Sequence, residues 1–340
     1  MRVLRQIPRR PVRWKNPVAA IGIFDGVHRG HQVILRRAVL RAKALRGVPI
    51  VITFHPHPLT ILNPALVPPM LLSLEQRLKA FERCGIRGAV VVPFTRAFSR
   101  WTPEQFVRRL LVDGLWVREV VVGHDFGFGV GRSGTVETLG TMGRRFGFKV
   151  HVMRPVKTAG ERIASHRIRQ EIQAGRLAKA AVALGRPVTV VGICVPGSGR
   201  GRKLGFPTAN LRMEAGVPPP VGVYAVSVKM SSSRKRGSDS RFRGNDTLLG
   251  MANLGFRPTF GVRHRSNFCK DDGVSDTGLL EVHLFGIHRP LYGRRLEVAF
   301  HKRLRPERRF PSAEALKAQL ESDARRAKRF FALQSKSRVV

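Results

Sequence analysis

The feature that most limits the fold of this chain is a regular alternation in its first half. Between residues 17 and about 185, apolar runs alternate with stretches that have helical spacing. Continuous apolar runs are typical of strands in a parallel sheet covered on both faces. The pattern therefore predicts a βαβ series and a doubly wound α/β domain. The five runs interpreted as buried strands are PVAAIGIF, VPIVITF, GAVVVPF, REVVVGHDF and FKVHVMRPV.

Three of the intervening stretches carry helix signals at both ends. They span residues 28–47, 73–85 and 102–114, and each ends at a glycine, as helices commonly do. Ser73 and Thr102 stand at the start of the second and third stretches, where a hydroxyl can accept from the first free backbone N–H groups. We therefore expect helices here, with Ser73 and Thr102 as their N-caps.

The second half of the chain has a different pattern of apolar runs and loops. After LGRP at residues 184–187, short strand-like runs such as VTVVGICV, GVYAVSV and LEVHLF are separated by loops rich in glycine and proline. This is typical of a small antiparallel, Greek-key-like β-barrel. An amphipathic helix is expected over residues 311–333. We therefore divide the chain into domains 1–186 and 187–340.

Two polar segments interrupt the second domain. Residues 229–247 have almost no apolar side chains, so we expect a disordered insert there. Residues 266–278 form a second insert, which lies just before Glu281.

Charge and cysteine usage limit the classes of function. The chain has 62 Lys and Arg against 22 Asp and Glu, a formal net charge of +40. Such an excess points to nucleic acid, but the basic residues are spread along the chain without a helix-turn-helix or zinc-finger pattern. An RNA-binding protein stays open as an alternative. The three cysteines have no CxxC spacing and no leader or membrane span is evident, so we expect a soluble cytoplasmic protein.

The stretch DGVHRGH, residues 25–31, follows the first predicted strand and opens a helix. Free backbone N–H groups and the helix dipole favour an anion such as phosphate there. His28 and His31 can point the same way and donate to phosphoryl oxygens, while Gly26 and Gly30 allow close backbone approach. This suits charge developing on a transferring nucleotidyl group. A zinc pair and a structural pair of exposed histidines remain as alternatives.

Both halves of the chain resemble a known family. IGIFDGVHRGHQVIL, followed in order by VITFHPHP, VVGHDFGFGVGRSG, RIASHRIR and LGRP, is similar to the adenylyltransferase module of prokaryotic bifunctional riboflavin kinase/FAD synthetases. GRGRKLGFPTANL, GVYAV, MANLGFRPTFG and LEVHLF resemble the riboflavin kinase module. The resemblance implies a Rossmann-like nucleotidylyltransferase domain and a kinase barrel. It also implies that riboflavin, FMN and ATP are the substrates and that Mg²⁺ is used with ATP.

For the first domain, the resemblance implies that the FMN phosphate attacks the α-phosphorus of ATP and that pyrophosphate leaves. His28 and His31 would be catalytic residues that hold the ATP phosphates. Arg162, Ser165 and Arg169 of the RIASHRIR segment would bind ATP around the leaving pyrophosphate, because arginine offers a bidentate fork for phosphate oxygens. A solvated basic helix face is the alternative for either arginine.

Other residues of the first domain are placed by the same resemblance. Gly26 and Asp125 would bind ATP, and Phe54 and Phe128 would contact the flavin. Phe126 is a further aromatic candidate for the flavin side, and its alternative is a place in the core.

His55 and His57, at the end of the strand that carries Phe54, are either site residues or simple loop residues. His166 and Gly127 depart from the family pattern, and both departures could weaken adenylyl transfer.

For the second domain, the resemblance implies transfer of the γ-phosphoryl group of ATP to the 5′-hydroxyl of riboflavin. Thr208 and Asn210 of GFPTAN would bind Mg²⁺ together with ATP, since a hard cation prefers oxygen ligands. A Pro-Thr turn with Asn210 capping a strand is the alternative. Glu281 would be the catalytic base, and Glu297 is its nearest decoy.

The glycine-rich segment before GFPTAN would form a flap over the ATP phosphates. Gly199 and Gly201 are its expected ATP-binding residues, with Gly197 and Gly205 beside them. The expected partners are small-molecule substrates; we expect no specific nucleic acid and no membrane, and a homo-oligomer is possible. Another nucleotidylyltransferase with the HxGH element is a rival, but GFPTAN and EVHLF argue against it.

Overall fold

The computed structural model of the protein describes residues 1–8, 10–197, 199–230, 247–255, 279–287 and 289–336. Contacts within the chain divide it into two compact units. Unit one comprises Met1–Pro68 and Leu72–Ser165, and unit two comprises Pro69–Leu71 and His166–Val340. The predicted domain boundary after residue 186 remains a prediction. The insert expected at 266–278 lies outside the described residues.

Unit one is built on a six-stranded sheet whose strand pairs are all parallel. In chain order the strands are β1 (Arg2–Leu4), β2 (Val18–Ile21), β3 (Pro49–His55), β4 (Gly88–Pro93), β5 (Glu119–Gly123) and β6 (Lys149–Met153). They lie side by side in the order β1-β4-β3-β2-β5-β6. The chain runs from β2 to β3 and β4 on one side, then crosses to β5 on the other side of β2. This confirms the doubly wound fold, with its reversal point between β2 and β5.

Both faces of the sheet are covered. Val51 and Ile52, neighbours on β3, belong to two different apolar clusters, because successive residues of a strand face opposite sides. The buried-strand prediction is wrong for FKVHVMRPV, since Lys149 and Val152 of β6 are exposed. The reason is that β6 is an edge strand with a single neighbour. The opposite edge strand, β1, is not predicted from the sequence at all.

The helices of unit one are α1 (Arg29–Ala44), α2 (Pro58–Leu62), α3 (Leu74–Arg83), α4 (Arg96–Ser99), α5 (Pro103–Gln105) and α6 (Val136–Phe146). A two-stranded hairpin, β7 (Lys157–Thr158) and β8 (Glu161–Arg162), follows β6. Both predicted N-caps are confirmed: the hydroxyls of Ser73 and Thr102 each accept from the backbone N–H three residues ahead, in capping boxes with Gln76 and Gln105.

The single helix predicted over 102–114 has two parts. After α5 the chain continues as a π-helix over Phe106–Gly114. The wider turn of a π-helix changes which side chains share a face. Here Phe106, Val107, Leu110 and Leu111 are all buried. The capping signals of the sequence do not reveal the π-helical form.

Unit two contains a closed barrel of six antiparallel strands, which confirms the predicted barrel. The strands are β9 (Val188–Val195), β10 (Ala209–Ala215), β11 (Gly222–Met230), β12 (Thr247–Gly255), β13 (Leu279–Leu284) and β14 (Arg295–Arg305). Around the barrel they follow the order β10-β13-β12-β11-β14-β9. The helices are α7 (Ser165–Gln173), α8 (Leu177–Leu184), α9 (Arg200–Lys203) and α10 (Ala313–Lys336).

The insert expected at 229–247 lies outside the described residues except at its two ends. Lys229 on β11 pairs with Thr247 on β12, so the prediction that these two residues belong to the insert is wrong. Their polarity suggested a loop, but cross-strand hydrogen bonding extends both strands to these positions.

Helix α10 covers one side of the barrel. Val223 and Ala225 of β11 pack against Ala324 and Ala327 of α10 on the outer face. The helix is also tied by Asp323, which is fully buried and accepts from Arg305 Nε at 2.8 Å. In the described part of the chain, no helix is long and apolar enough to cross a membrane.

Candidate active sites

The histidine pair of unit one lies at the reversal point of the sheet. Strand β2 ends at Ile21, and a tight turn over Asp25–Val27 leads into α1, whose N-cap is His28. Three residues of this connection have left-handed backbone conformations: Phe24 (φ 55°), Gly26 (φ 79°) and Val27 (φ 39°). Because two of them are not glycine, the turn is strained and needs contacts that hold it.

His28 and His31 stack on each other, with ring centroids 3.5 Å apart and planes 18° from parallel. His28 is only 5% exposed. Its Nδ1 accepts from the backbone N–H of His31 at 3.3 Å. In neutral His28 the proton therefore sits on Nε2. A side chain at Gly30 would meet the His28 ring 3.1 Å away, so glycine leaves room for the stack.

His31 is partly buried, and burial is the main cause that lowers its pKa well below 6.5. The nearby charges of His28 and Arg77 lower this pKa further. Its Nδ1 is buried and has no hydrogen-bond partner in the described part of the chain. His31 is thus neutral near pH 7, and one ring nitrogen is available to a ligand.

Several contacts hold the turn between β2 and α1. Ser165 Oγ donates to the carbonyl of Asp25 at 3.0 Å, which brings this predicted residue to the histidine turn. Asp25 is itself buried, and its Oδ1 accepts from the backbone N–H of Leu72 at 3.3 Å. Arg77 Nη1 donates to the carbonyl of Ile23 at 2.7 Å. The turn is therefore fixed from two separate parts of the chain, one around the start of α3 and the other at Ser165.

Asp125 follows β5, the strand next to β2, and it lies beside two arginines. Arg162 Nη2 donates to Asp125 Oδ2 at 2.7 Å, and Arg132 Nη2 donates to the Asp125 carbonyl at 3.0 Å. A Cβ at Gly127 would lie 3.0 Å from the Arg132 guanidinium, so this glycine makes room for Arg132. Asp125 and Arg162 are thus brought together, as an exposed ion pair.

Other predicted residues of the first domain have different surroundings. Phe54 and Phe128 are buried in the apolar core, whereas Phe126 is half-buried and stacks on Phe128. His57 Nδ1 accepts from the N–H of Leu59 and so caps α2.

Two further positions named from the sequence lie on α7. Arg169 belongs to unit two, where its Nε donates to the Pro69 carbonyl at 2.7 Å. His166 is exposed on the same helix.

In unit two, the predicted base and one predicted metal ligand are cross-strand neighbours. Asn210 on β10 pairs with Glu281 on β13, and Glu281 pairs on its other side with Asn253 on β12. Alternation along β12 puts Asn253 on the same face as Met251, which is the outer face under α10. Three side chains that can bind polar groups thus form a row across adjacent strands.

The glycine-rich segment packs directly on this row. A Cβ at Gly197 would lie 1.9 Å from Asn210 Nδ2, and one at Gly201 would lie 2.4 Å from the Phe206 carbonyl and 3.2 Å from Thr208 Oγ1. Gly199 has a φ of 70° and open space around it. Only glycine fits at 197 and 201 without movement, so the flap residues and GFPTAN form one site.

Asn210 has the properties of a cation ligand. It is 6% exposed, and its Oδ1 accepts no hydrogen bond from any described residue. A buried carbonyl oxygen without a donor is costly to maintain unless a ligand satisfies it. The hydroxyl of Thr208, on the same segment, adds a second oxygen, and oxygen donors suit Mg²⁺.

A pocket that shares Thr208 with this site combines apolar walls with positive charge. Its other residues on β10 and β13, Ala209, Val282 and Leu284, lie on the face opposite the Asn210–Glu281 row. Leu284 and Tyr292 contribute apolar and aromatic surface, and Arg202, Arg289 and Thr208 contribute polar groups. This chemistry suits a nucleoside phosphate, whose base needs an apolar wall and whose phosphates need cations.

Sequence reasoning missed three residues that contact these sites. Arg132 and Arg77 in unit one and Asn253 in unit two were not named. For Arg77 a signal exists, because Leu78 and Phe81 of the same helix are core residues and Arg77 is four residues from Phe81. Asn253 is recognisable only from the barrel register.

Comparison with known proteins assigns a family to each half of the chain. Residues 11–167 match the FAD synthetase family model, and residues 184–331 match the riboflavin kinase model. The bifunctional riboflavin kinase/FMN adenylyltransferase of Escherichia coli K12 is 36% identical over 318 residues, which cover 93% of each chain. The enzyme of that name from Pseudomonas fluorescens is 37% identical over 312 residues, which cover 92% of each chain.

A solved structure is similar over most of the chain. The crystal structure of a macrolide-efflux protein from Streptococcus pneumoniae superposes with a TM-score of 0.71 at 27% identity, covering 92% of this chain and 96% of that one. Both family models match in sequence order, and relatives more than 30% identical span most of the chain. The chain therefore belongs to the family of bifunctional riboflavin kinase/FMN adenylyltransferases, transferases that phosphorylate riboflavin to FMN and adenylylate FMN to FAD.

Proposed function

We propose that the two reactions use separate sites, adenylyl transfer at the histidine turn of unit one and phosphorylation at the Asn210–Glu281 row of unit two. The observation that carries this proposal is the buried Oδ1 of Asn210, which has no hydrogen-bond partner among the described residues and lies beside Glu281. It gives the barrel a cation ligand and a carboxylate of its own.

In the kinase site, Thr208 and Asn210 would hold Mg²⁺ with ATP. The chemistry that Mg²⁺ would supply there is neutralisation of the negative charge of the ATP phosphates. Gly197 and Gly201 let the flap backbone approach these residues closely. Arg202 and Arg289 would hold phosphates in the neighbouring pocket, with Tyr292 against the base.

Glu281 is the base of the phosphorylation step. Its carboxylate accepts the proton of the riboflavin 5′-hydroxyl, whose oxygen then forms a bond to the γ-phosphorus of ATP. The bond from that phosphorus to the bridging oxygen breaks, and ADP leaves with the electron pair. Asn210 and Asn253, on either side of Glu281, would orient the reacting groups.

In the adenylyl transfer site, a phosphate oxygen of FMN attacks the α-phosphorus of ATP, and pyrophosphate leaves with the electron pair. No group of the enzyme forms a bond, so the site acts through positioning and charge stabilisation. His28 would donate through Nε2, and His31 through one ring N–H. The Gly26 turn would present backbone N–H groups to the phosphates.

Arg162 would exchange partners when ATP binds. In the structure it is paired with Asp125 on the surface. A triphosphate offers several oxygens to the same guanidinium, so Arg162 would release Asp125, which then binds another part of the nucleotide. Ser165 holds the Asp25 carbonyl and thereby the turn.

The remaining roles are proposed from the family resemblance alone. Arg169 would contact pyrophosphate, and Phe54 and Phe128, which are buried, would line the inner side of the flavin site. We also propose a cytoplasmic enzyme that needs Mg²⁺ for both steps. A domain boundary after residue 186 and a homo-oligomeric state are compatible with this scheme.

Matched variants test whether the two reactions use separate sites. The full chain is incubated with Mg²⁺ and ATP and either riboflavin or FMN, and the flavins are resolved by chromatography. We expect Glu281→Gln to slow FMN formation by about 100-fold or more and to spare FAD formation from FMN. Glu297→Gln, on β14 of the same barrel, should leave both rates unchanged. Loss of both activities in Glu281→Gln would contradict separate sites.

The adenylyl transfer site has a reciprocal test. His31→Ala should abolish FAD formation from FMN and leave riboflavin phosphorylation intact. Chelation by EDTA should stop both reactions, and added Mg²⁺ should restore them. If His31→Ala forms FAD at the normal rate, the histidine turn is not the adenylyl transfer site.

A further inference from the structure

Arg77 is a buried arginine outside the set of residues proposed above to act in the two reactions. It lies on α3, and only 2% of its surface is exposed. Its Nη1 donates to the Ile23 carbonyl at 2.7 Å and to Thr53 Oγ1 at 3.2 Å. Its Nε is buried and has no hydrogen-bond partner in the described part of the chain. An arginine buried at this cost calls for an explanation, because arginine stays charged in proteins.

The Ile23 carbonyl is the last fixed point before the strained turn. It accepts from both Arg77 Nη1 and Thr53 Oγ1, the latter at 3.0 Å. The next residue, Phe24, already has a left-handed conformation. Holding this carbonyl sets the direction in which the chain enters the turn, and so the position of His28.

The charge of Arg77 also acts on the site. Asp25 is the carboxylate that favours the charged guanidinium, whereas burial disfavours it. The groups that act on His31 are His28 from the preceding turn and Arg77 from α3, and both disfavour a proton on its ring. Arg77 is thus a permanent positive charge behind a pair of rings, one of which is kept neutral.

We propose that Arg77 is a positioning residue for adenylyl transfer: its guanidinium fixes the turn that carries the histidine pair and supplies a constant positive charge beneath it. This rests on the proposed role of His28 and His31. A neutral His31 donates one hydrogen bond without repelling Arg77, and the polyanionic triphosphate gains the field of the buried cation.

The test compares Arg77→Lys and Arg77→Met with Arg83→Met, an exposed arginine on the same helix. The rate of FAD formation from FMN is measured from pH 5.5 to 9, and riboflavin phosphorylation in the same samples is the internal control. We expect kcat/KM for adenylyl transfer to fall about tenfold in the lysine variant, since one ammonium cannot reproduce the guanidinium fork. It should fall about 100-fold in the methionine variant. The rate of adenylyl transfer in Arg83→Met should be unchanged. The rate of riboflavin phosphorylation should be unchanged in all three variants.

The pH profile separates charge from packing. In Arg77→Met the acidic limb should move to higher pH, because the cation that disfavours His31 protonation is gone. In Arg77→Lys the limb should stay in place. The same displacement in both variants would overturn the electrostatic role. Adenylyl transfer within twofold of normal in Arg77→Lys would overturn the positioning role, even if the methionine variant does not fold.

The His31→Ala result distinguishes this inference from the proposed function. If His31→Ala loses FAD formation while both Arg77 variants are normal, only the role of Arg77 is wrong. If His31→Ala is fully active, the proposed site is wrong as well.

Discussion

Asn210 and Glu281 lie directly opposite each other on antiparallel strands β10 and β13. Side chains in such a pair share one face and are a few ångströms apart at their Cβ atoms. One is a buried amide whose Oδ1 accepts no hydrogen bond within the described residues, and the other is a carboxylate. A buried oxygen without a donor among the described residues therefore stands next to a group that can accept a proton.

Asn210→Leu should separate stability from activity. Leucine has a similar shape and removes the unpartnered oxygen, so the free energy of unfolding of the barrel should be unchanged or higher by about 1 kcal/mol. Riboflavin phosphorylation should fall about 100-fold or more with the loss of the proposed cation ligand. Hydrogen exchange of the barrel strands and FMN formation measure the two effects. A clear loss of protection would show that Asn210 is needed for folding.

Gly197→Ala should disable the kinase by a steric route. The new Cβ would lie 1.9 Å from Asn210 Nδ2, well inside contact distance, so either the flap or Asn210 must move. We expect the KM for ATP in riboflavin phosphorylation to rise about tenfold or more, since misplacement of binding groups is costly. FAD formation from supplied FMN is the control. An unchanged KM would mean that the flap does not need to approach Asn210.

Protonation of His31 should destabilise unit one at acidic pH. Its pKa is lowered in the fold, chiefly by burial, from a usual value near 6.5. Below about 6.5 the unfolded chain therefore binds a proton that the folded chain does not, so stability falls with falling pH. The decline ends once the pH is below the folded pKa. The free energy of unfolding of the His31→Gln variant should fall less steeply over the same pH range.

Tryptophan fluorescence during urea unfolding can follow this change, because all three tryptophans, Trp14, Trp101 and Trp116, lie in unit one. Equal pH dependence in the normal and variant chains would show that His31 titrates alike in the folded and unfolded states.

Asp323→Ala should weaken the attachment of α10 to the barrel. The substitution leaves Arg305, which is largely buried, without its carboxylate, and Gln319 loses an acceptor. Removing one partner of a buried ion pair lowers the free energy of unfolding by about 3 kcal/mol. The urea concentration that halves riboflavin kinase activity should fall accordingly. Glu321→Ala, exposed on the same helix, is the matched control and should have no such effect.

Local patterns account for what the sequence predicts well. The apolar runs locate β2 to β5, and Ser73 with Gln76 marks the start of α3, because both signals depend on neighbouring residues. The turn with His28 and His31 is predicted for the same reason. The edge position of β6, by contrast, depends on how many strands lie beside it.

Long-range relations explain what the sequence does not predict. Arg77 is 54 residues from the carbonyl it holds, and Asn253 meets Glu281 only through the strand register. The burial of Phe54 and Phe128 likewise follows from packing that no motif encodes. Partnerships of buried polar groups are therefore found from the fold, even when the elements that carry them are evident.

The closed barrel has a consequence for the connection between β12 and β13. In an open sheet, an outer strand can slip along its single neighbour. In the closed barrel, β13 is hydrogen-bonded to β10 on one side and to β12 on the other. A shift of β13 by one residue would therefore break the hydrogen bonds to both neighbours at once. The register of β13 with β10 and β12 determines the position of Glu281. The number of residues between β12 and β13 does not determine it. Shortening that connection to the least number of residues that can span its ends should therefore leave Glu281 between Asn210 and Asn253.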